Sequence, residues 1–223
     1  MAKFGRLLLR TSAGSLKRVV PESVYVKLKN RVGKAIWDIG GEMGHPPPSV
    51  KVECIRQLHK AYGVDVFVET GTYKGDMIAA LTGIFKQLYS VELDPLLFAR
   101  AQNRFADCRR VHIFNGNSAE VIRRILESIH ERCMFWLDAH YSGSGTAGEK
   151  QDCPLILELQ AIRSHKRNDH IILIDDIGCM GHDCYPTVCK LCKTIEGINP
   201  EYRIEVRDNV LRAHPFGENR KRK

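Results

Sequence analysis

The sequence lacks long apolar segments. No apolar run reaches the roughly 20 residues needed to cross a membrane, and the run Leu7-Leu8-Leu9 is too short for the core of a signal peptide. Internal repeats and low-complexity segments are absent as well. These absences argue against membrane-spanning and repeat architectures, and we expect the protein to stay in the cytoplasm.

Acidic side chains are scarce at the start of the chain. In the first 34 residues, nine lysines and arginines stand against Glu22 alone, and this excess equals the formal net charge of +8 for the whole chain. The remainder is therefore neutral, which does not favour a specific nucleic-acid-binding face. The basic segment and the tail Arg220-Lys221-Arg222-Lys223 could contact an anionic surface or simply be solvated ends.

Cysteine is present eight times, but disulfide bonds are not expected. A chain of 223 residues with 43% hydrophobic residues can fill a sizeable core and does not need disulfide bonds for its stability. One group of residues could instead supply a tetrahedral zinc site: Cys179, His182, Cys184, Cys189 and Cys192. Apolar residues at helical spacing in the same stretch leave open a second interpretation, in which these cysteines are small core residues.

Strand-like and helix-like patterns alternate from residue 49 onward. Strands are predicted at 65–69, 87–92, 111–114, 133–137 and 170–174, followed by a hairpin of 202–206 and 210–213 joined by Asp208-Asn209. Helices are predicted at 49–62 with Ser49 as N-cap, after Asp94-Pro95, after Ser118 as N-cap, and at 154–164. The apolar side of the helix after Asp94-Pro95 is predicted to contain Leu96, Leu97, Ala99, Ala101 and Phe105. Five strand-helix units predict an α/β fold, with a mostly parallel sheet between helices and an antiparallel C-terminal hairpin.

A glycine-rich turn follows the first predicted strand. The apolar run Val66-Phe67-Val68 ends in Glu69, and Gly71 and Gly75 precede a helical pattern. Glycines let the backbone approach a ligand closely, although a tight turn without a ligand would look the same. A carboxylate here would repel the pyrophosphate of a dinucleotide. The carboxylate of Glu69 instead suits a ligand with a cationic end.

Acidic residues occupy nearly every predicted strand end. Glu69, Glu92, Asp138 and the pair Asp175-Asp176 end four of the five parallel strands, and the other strand leads to Gly116-Asn117-Ser118. Ligands of open α/β sheets bind beyond these ends. Glu92 follows Glu69 by 23 residues, close to the roughly 20-residue offset at which an acid binds ribose hydroxyls.

The spacing E-x-G-x-x-x-G from Glu69 to Gly75 resembles the first motif of class I S-adenosylmethionine (SAM) methyltransferases, with Tyr73 where that family has a third glycine. The layout is also similar to the family's Rossmann-like seven-stranded sheet. The resemblance covers residues 49–215, preceded by a basic extension at 1–48 and followed by a basic tail at 216–223. It implies a SAM site formed by Glu69, Thr70, Gly71, Tyr73, Gly75, Glu92, Leu93, Asn117, Ser118 and Asp138, with Asn117 and Ser118 beside the adenine.

Asp138, Asp175 and Asp176 form a second predicted group. Three hard oxygen ligands suit magnesium or calcium. The group resembles the site of metal-dependent small-molecule O-methyltransferases that act on catechols and on macrolide sugars. In such a site the metal binds two vicinal hydroxyls of the substrate and lowers the pKa of the one that attacks the methyl group.

His140 is a candidate general base, since an unperturbed histidine accepts a proton near neutrality. A metal ligand and a plain loop residue are the open alternatives. The segment from Asp138 to Pro154 is similar to that of bacterial methyltransferases found with glycan-modifying genes, and its glycines would allow a lid over the substrate.

The residues and the resemblance together favour a magnesium-assisted O-methyltransferase that acts on a hydroxyl of a sugar, a glycan or another small molecule. Two alternatives stay open. One is a methyltransferase that acts on protein or nucleic acid through the basic segment, and the other is a non-methylating nucleotide-binding module with structural zinc. The sequence does not indicate an oligomeric state.

Overall fold

The computed structural model of the chain describes residues 46–138, 153–182 and 184–216. The chain divides into two units, Met1–Lys51 and Val52–Lys223. Of the first unit only residues 46–51 are described, and they include the start of the first helix. The predicted domain boundaries at 48/49 and 215/216 stay predictions.

Seven strands and six α-helices make up the described part of the chain. The strands are β1 (Val66–Thr70), β2 (Gln87–Glu92), β3 (Val111–Asn115), β4 (Cys133–Leu137), β5 (Ile171–Ile174), β6 (Tyr202–Arg207) and β7 (Val210–Pro215). The helices are α1 (Pro48–Tyr62), α2 (Asp76–Leu81), α3 (Pro95–Arg104), α4 (Ser118–Ser128), α5 (Leu155–Arg163) and α6 (Val188–Glu196). A short 3₁₀ turn, Ile177–Cys179, follows β5.

The strands form one sheet in the order β3-β2-β1-β4-β5-β7-β6. The first five are mutually parallel, and β7 runs antiparallel to both β5 and β6. This arrangement confirms the predicted Rossmann-like, mostly parallel sheet with a C-terminal antiparallel hairpin.

Side chains of the central strands fill two cores, one on each face of the sheet. Val66, Val68 and Phe135 pack on the face that also receives buried residues of α4, α5 and α6. Phe67 and Trp136 point to the opposite face, with buried residues from α1 and α2. Successive strand residues alternate between faces, so continuous apolar runs indicate strands that are covered on both sides.

Several predicted boundaries differ from those observed. Helix α1 begins at Pro48, so Ser49 is not its N-cap; proline fits the first turn because its missing N–H needs no partner there. Strand β1 covers 66–70 and not the predicted 65–69. On the predicted apolar side of α3, Leu97 and Ala101 are buried, but Leu96 is 72% exposed and Ala99 is exposed too. None of the described helices has the length and apolar character needed to span a membrane.

Candidate active site

The loop between β1 and α2 contains three residues with positive φ. These are Gly71 at 81°, Tyr73 at 48° and Gly75 at 75°. A Cβ on Gly75 would lie 2.7 Å from Phe105 Cε2, so the position requires glycine. Tyr73 adopts a conformation that favours glycine. The loop therefore keeps the backbone shape expected of the motif at the one position where tyrosine replaces glycine.

Glu69 is buried at the base of this loop, 3% exposed. The Ser90 hydroxyl donates a hydrogen bond of 2.5 Å to Glu69 Oε2, and the Thr72 hydroxyl lies 2.6 Å from Ser90 Oγ. Burial raises the pKa of Glu69 well above its ordinary value, the Ser90 hydrogen bond opposes that rise, and the nearby Asp138 and Glu92 carboxylates add to it. A bound cation would favour the ionised form.

Glu92 ends β2 with both carboxylate oxygens oriented by the backbone. Its Oε2 accepts from the Tyr73 N–H at 2.7 Å, and its Oε1 accepts from the Asp94 N–H at 3.0 Å. Each oxygen keeps one lone pair that can accept a hydrogen bond from a ligand hydroxyl. The next residue, Leu93, is 47% exposed and offers apolar surface beside it.

Asn117 is the N-cap of α4, a role that was predicted for Ser118. Its Oδ1 accepts from the backbone N–H groups of Ala119 at 3.0 Å and Glu120 at 3.3 Å. A hydrogen bond from an adenine amino group to this oxygen would compete with the cap, so the NH₂ group is the part of Asn117 left for a ligand. Ser118 is the first residue of the helix and is buried.

The three predicted metal-binding aspartates come together. Ligand atoms of Asp138, Asp175 and Asp176 lie within 4.8 Å of one another, and two of the three side chains are buried. The Asp176 N–H donates to Asp175 Oδ1 at 2.8 Å. Carboxylates this close repel each other, and a divalent cation with hard oxygen preferences fits the set.

Within the described ranges, these aspartates are the only His, Cys, Asp or Glu residues that gather three or more ligand atoms in this way. The alternative zinc set of Cys179, His182, Cys184, Cys189 and Cys192 is described but does not assemble. Instead Leu191 and Ile195 bury one side of α6 in the core, as the helical spacing predicts. Among the described residues, the structure therefore favours the second interpretation, in which these cysteines are not gathered around a metal.

A small cavity lies beside the aspartates. Its other walls are apolar or weakly polar side chains: Leu137, Leu155, Cys179, Met180 and Tyr185. Its walls place apolar side chains next to three carboxylates. His140, the predicted base, lies outside the described residues, so its role stays a prediction.

The two predicted sites adjoin at Asp138. Its N–H lies 3.3 Å from Thr70 Oγ1 at the end of β1, and its charge raises the pKa of Glu69. The sequence pattern did not single out Ser90, although the parallel pairing of β1 with β2 puts it directly beside Glu69. The sequence pattern did not single out Glu158 either.

Glu158 is a fully buried carboxyl group on α5. Burial raises its pKa to about 7, the nearby hydroxyls of Ser118 and Thr70 oppose the rise, and the charge of Asp138 adds to it. Among the described residues neither of its oxygens meets a donor at full hydrogen-bond geometry. An acid on the apolar side of a helix is the signal that could have identified it.

The strand order of the sheet is shared with solved structures of methyltransferases. No protein-family model matches the sequence, and no curated protein matches it. Among solved structures, the chain is similar to the methyltransferase PaMTH1 of Podospora anserina with SAH bound, at a TM-score of 0.53 and 14% identity over 95% of this chain and 96% of that one.

It is also similar to an O-methyltransferase from Bacillus cereus in complex with SAH. That match has a TM-score of 0.56 and 12% identity, over 92% of this chain and 97% of that one. At such identities the likeness establishes the fold. The predicted class I methyltransferase fold is therefore confirmed.

Proposed function

We propose that the chain is a SAM-dependent O-methyltransferase that uses a divalent cation, Mg²⁺ in the first place, to methylate a hydroxyl of a sugar, a glycan or another small molecule. One observation carries the proposal. The three gathered aspartates adjoin the buried Glu69 of the glycine loop through Asp138. A site for a cationic nucleoside thus lies next to a site for a divalent ion, in a domain that we take to span residues 49–215.

The glycine loop and the end of β2 would hold SAM. Glu69 would face the positive charge of the ligand, and Glu92 would accept hydrogen bonds from the ribose hydroxyls. Leu93 and Tyr73, 47% and 50% exposed, would lie against the nucleoside. Further contacts are proposed for Thr70, Gly71, Gly75, Asn117 and Ser118. The structures with SAH bound, from Podospora anserina and Bacillus cereus, support this assignment of the ligand.

Asp138, Asp175 and Asp176 would hold the cation and orient the acceptor. A bound divalent cation supplies Lewis acidity, which lowers the pKa of a coordinated hydroxyl. The side chains beside the aspartates, Met180 and Tyr185 among them, would contact the carbon skeleton of the acceptor. Vicinal hydroxyls would suit such a site, because two oxygens can face the cation at once.

The reaction would transfer a methyl group from sulfur to oxygen. The bond from sulfur to the methyl carbon breaks with its electron pair going to sulfur, which gives SAH, and an oxygen of the acceptor forms the new bond. The hydroxyl proton leaves to a base, for which His140 is the candidate. The cytoplasmic location stays a prediction.

Calorimetric titration of SAM into the purified protein, with and without Mg²⁺, tests this proposal. We expect SAM to bind in both conditions and methyl transfer to hydroxylated acceptors to require the cation. Absence of SAM binding would remove the methyltransferase assignment. Transfer that persists fully after treatment with a chelator would remove only the part played by the metal.

A further inference from the structure

The two-residue turn between β6 and β7 reaches the aspartate cluster. Strand β7 pairs antiparallel with β5, and the last pair in the register joins Ile174 to Leu211. Continuing that register two residues beyond β5 puts Asn209 opposite Asp176. The hairpin thus brings one of its turn residues to the carboxyl edge of the sheet.

Asn209 holds the segment from Asp176 to Gly178 with three hydrogen bonds. Its Nδ2 donates to Asp176 Oδ1 at 3.1 Å, and its Oδ1 accepts from the Gly178 N–H at 2.7 Å. Its backbone carbonyl accepts from the Ile177 N–H at 3.0 Å. Asp176 itself has φ of 50°, a conformation that a non-glycine residue keeps only where its surroundings impose it.

The geometry of the turn does not by itself account for an asparagine. Asp208 and Asn209 have φ of 53° and 59°, as a type I′ turn requires at both central positions. Glycine is the favoured residue at the second of these positions. Asparagine tolerates the same conformation and adds an amide group, which is the part that bonds Asp176 and Gly178.

We propose that Asn209 is a positioning residue for the metal site, a role that rests on the proposed function of the aspartates. Its amide restrains the Asp176 carboxylate before any cation binds, so less rotational freedom is lost on binding. Groups that orient metal ligands in this way contribute substantially to metal affinity. The hairpin turn is then part of the site, although it contributes no ligand.

Titration of Mn²⁺ followed by electron paramagnetic resonance would test the role in the wild-type protein and in Asn209→Gly, Asn209→Ala and Asp208→Asn. Both changes at Asn209 remove the amide, and we expect each to weaken Mn²⁺ binding by about tenfold. Asp208→Asn is the matched control, because it alters the same turn at the residue that bonds Arg212. It should leave Mn²⁺ affinity within about twofold of the wild type.

The two Asn209 variants separate positioning from turn stability. Glycine suits the turn and alanine strains it, so a purely structural role would spare Asn209→Gly and weaken only Asn209→Ala. Wild-type Mn²⁺ affinity in Asn209→Gly would overturn the inference and leave the proposed function intact. Absence of Mn²⁺ binding by the wild-type protein would instead overturn the metal site itself and this inference with it. SAM affinity should be unchanged in all three variants.

Discussion

The Ser90 hydroxyl donates a hydrogen bond of 2.5 Å to the carboxylate of Glu69, its direct partner across β1 and β2. This neutral donor only partly offsets the cost of burial, and the pKa of Glu69 remains raised well above its ordinary value. An ionised Glu69 therefore needs a cation near it. In the proposed function, SAM supplies that charge.

We predict that SAM affinity increases as the pH rises through the pKa of Glu69, because the carboxyl group must lose its proton before it can pair with a cation. Glu69→Gln should weaken SAM binding by about 10- to 100-fold, since it removes a charge-assisted interaction. It should also flatten the pH dependence. Calorimetric titration of SAM at several pH values measures both effects.

Ser90→Ala tests the same role of Glu69 without removing its carboxyl group. Loss of the hydroxyl removes the hydrogen bond that favours the ionised form, so the pKa of Glu69 should rise further and the gain in SAM affinity should move to higher pH. Glu69→Gln is the control, because any pH dependence of binding that remains in it comes from groups other than Glu69, such as those of SAM. Equal pH dependence in the wild type and in Glu69→Gln would contradict the assigned role.

The division of the carboxyl edge into two sites predicts different effects for Asp175. Asp175→Asn should leave SAM affinity within about twofold of the wild type and reduce methyl transfer by about 100-fold or more, because it removes one anionic ligand for the cation. Calorimetry and an assay of SAH release measure the two quantities. Asp107→Asn, at an exposed position, serves as control. If Asp175→Asn weakens SAM binding instead, the two sites are not separate.

The strands could be predicted from sequence because their signal is local. The segment of β2 that ends in Glu92 and the continuous apolar run of β4 that precedes Asp138 were both predicted with their observed bounds. The acids that follow β4 and β5 converge because those strands are parallel neighbours. Helix starts were less predictable. Asn117 and Ser118 are both good N-cap residues, and only the backbone conformation decides between them.

The residues that support the site could not be predicted, because their roles depend on pairing between distant segments. Ser90 acts through the register of β1 with β2, and Asn209 acts through the register of β7 with β5. Neither register is set by a local pattern. Tyr73 looked like a departure from the motif, yet its positive φ preserves the loop that the glycine spacing predicts.

Glu158 should make the protein less stable as the pH rises. Its pKa is about 7 in the folded protein, raised by burial from an ordinary value of 4.5. The folded state therefore holds a proton that the unfolded state loses between these values, and the contribution of Glu158 to the free energy of unfolding falls by roughly 3 kcal/mol as the pH rises through that window. Glu158→Gln should remove this loss.

Urea unfolding of the wild type and of Glu158→Gln at about pH 5 and about pH 8 measures the difference. Glu120→Gln, at an exposed position on α4, is the control, and its stability should depend on pH as that of the wild type does. The same pH dependence in Glu158→Gln as in the wild type would mean that this carboxyl is not the titrating group.

His170 immediately precedes β5 and lies in a chain of hydrogen bonds that fixes its protonation. The Cys133 N–H donates to His170 Nδ1 at 3.0 Å, so that nitrogen has no proton. His170 Nε2 then donates to His165 Nδ1 at 2.9 Å, and His165 Nε2 donates to the Ile129 carbonyl at 2.9 Å. A second proton on His170 would point at the Cys133 N–H. The ring is therefore held neutral.

Acid should destabilise the protein through this histidine, in the direction opposite to the effect of Glu158. Burial lowers the pKa of His170 from 6.5 to about 4, and the neighbouring His165 and Arg167 act in the same direction while Asp169 opposes them. The contribution of neutral His170 to the free energy of unfolding is complete above pH 6.5. It is lost as the pH falls toward 4, by roughly 3 kcal/mol in total.

Because the windows of Glu158 and His170 nearly coincide, the wild type alone cannot separate them, and the comparison needs Glu158→Gln as background. In that background, His170→Asn keeps an acceptor for the Cys133 N–H and removes the titrating ring. We expect it to lower stability near neutral pH but to abolish the loss below about pH 6.5, as measured by urea unfolding. His130→Asn, at an exposed position, should retain that loss. If acid still destabilises His170→Asn by the full amount, the responsible group lies elsewhere.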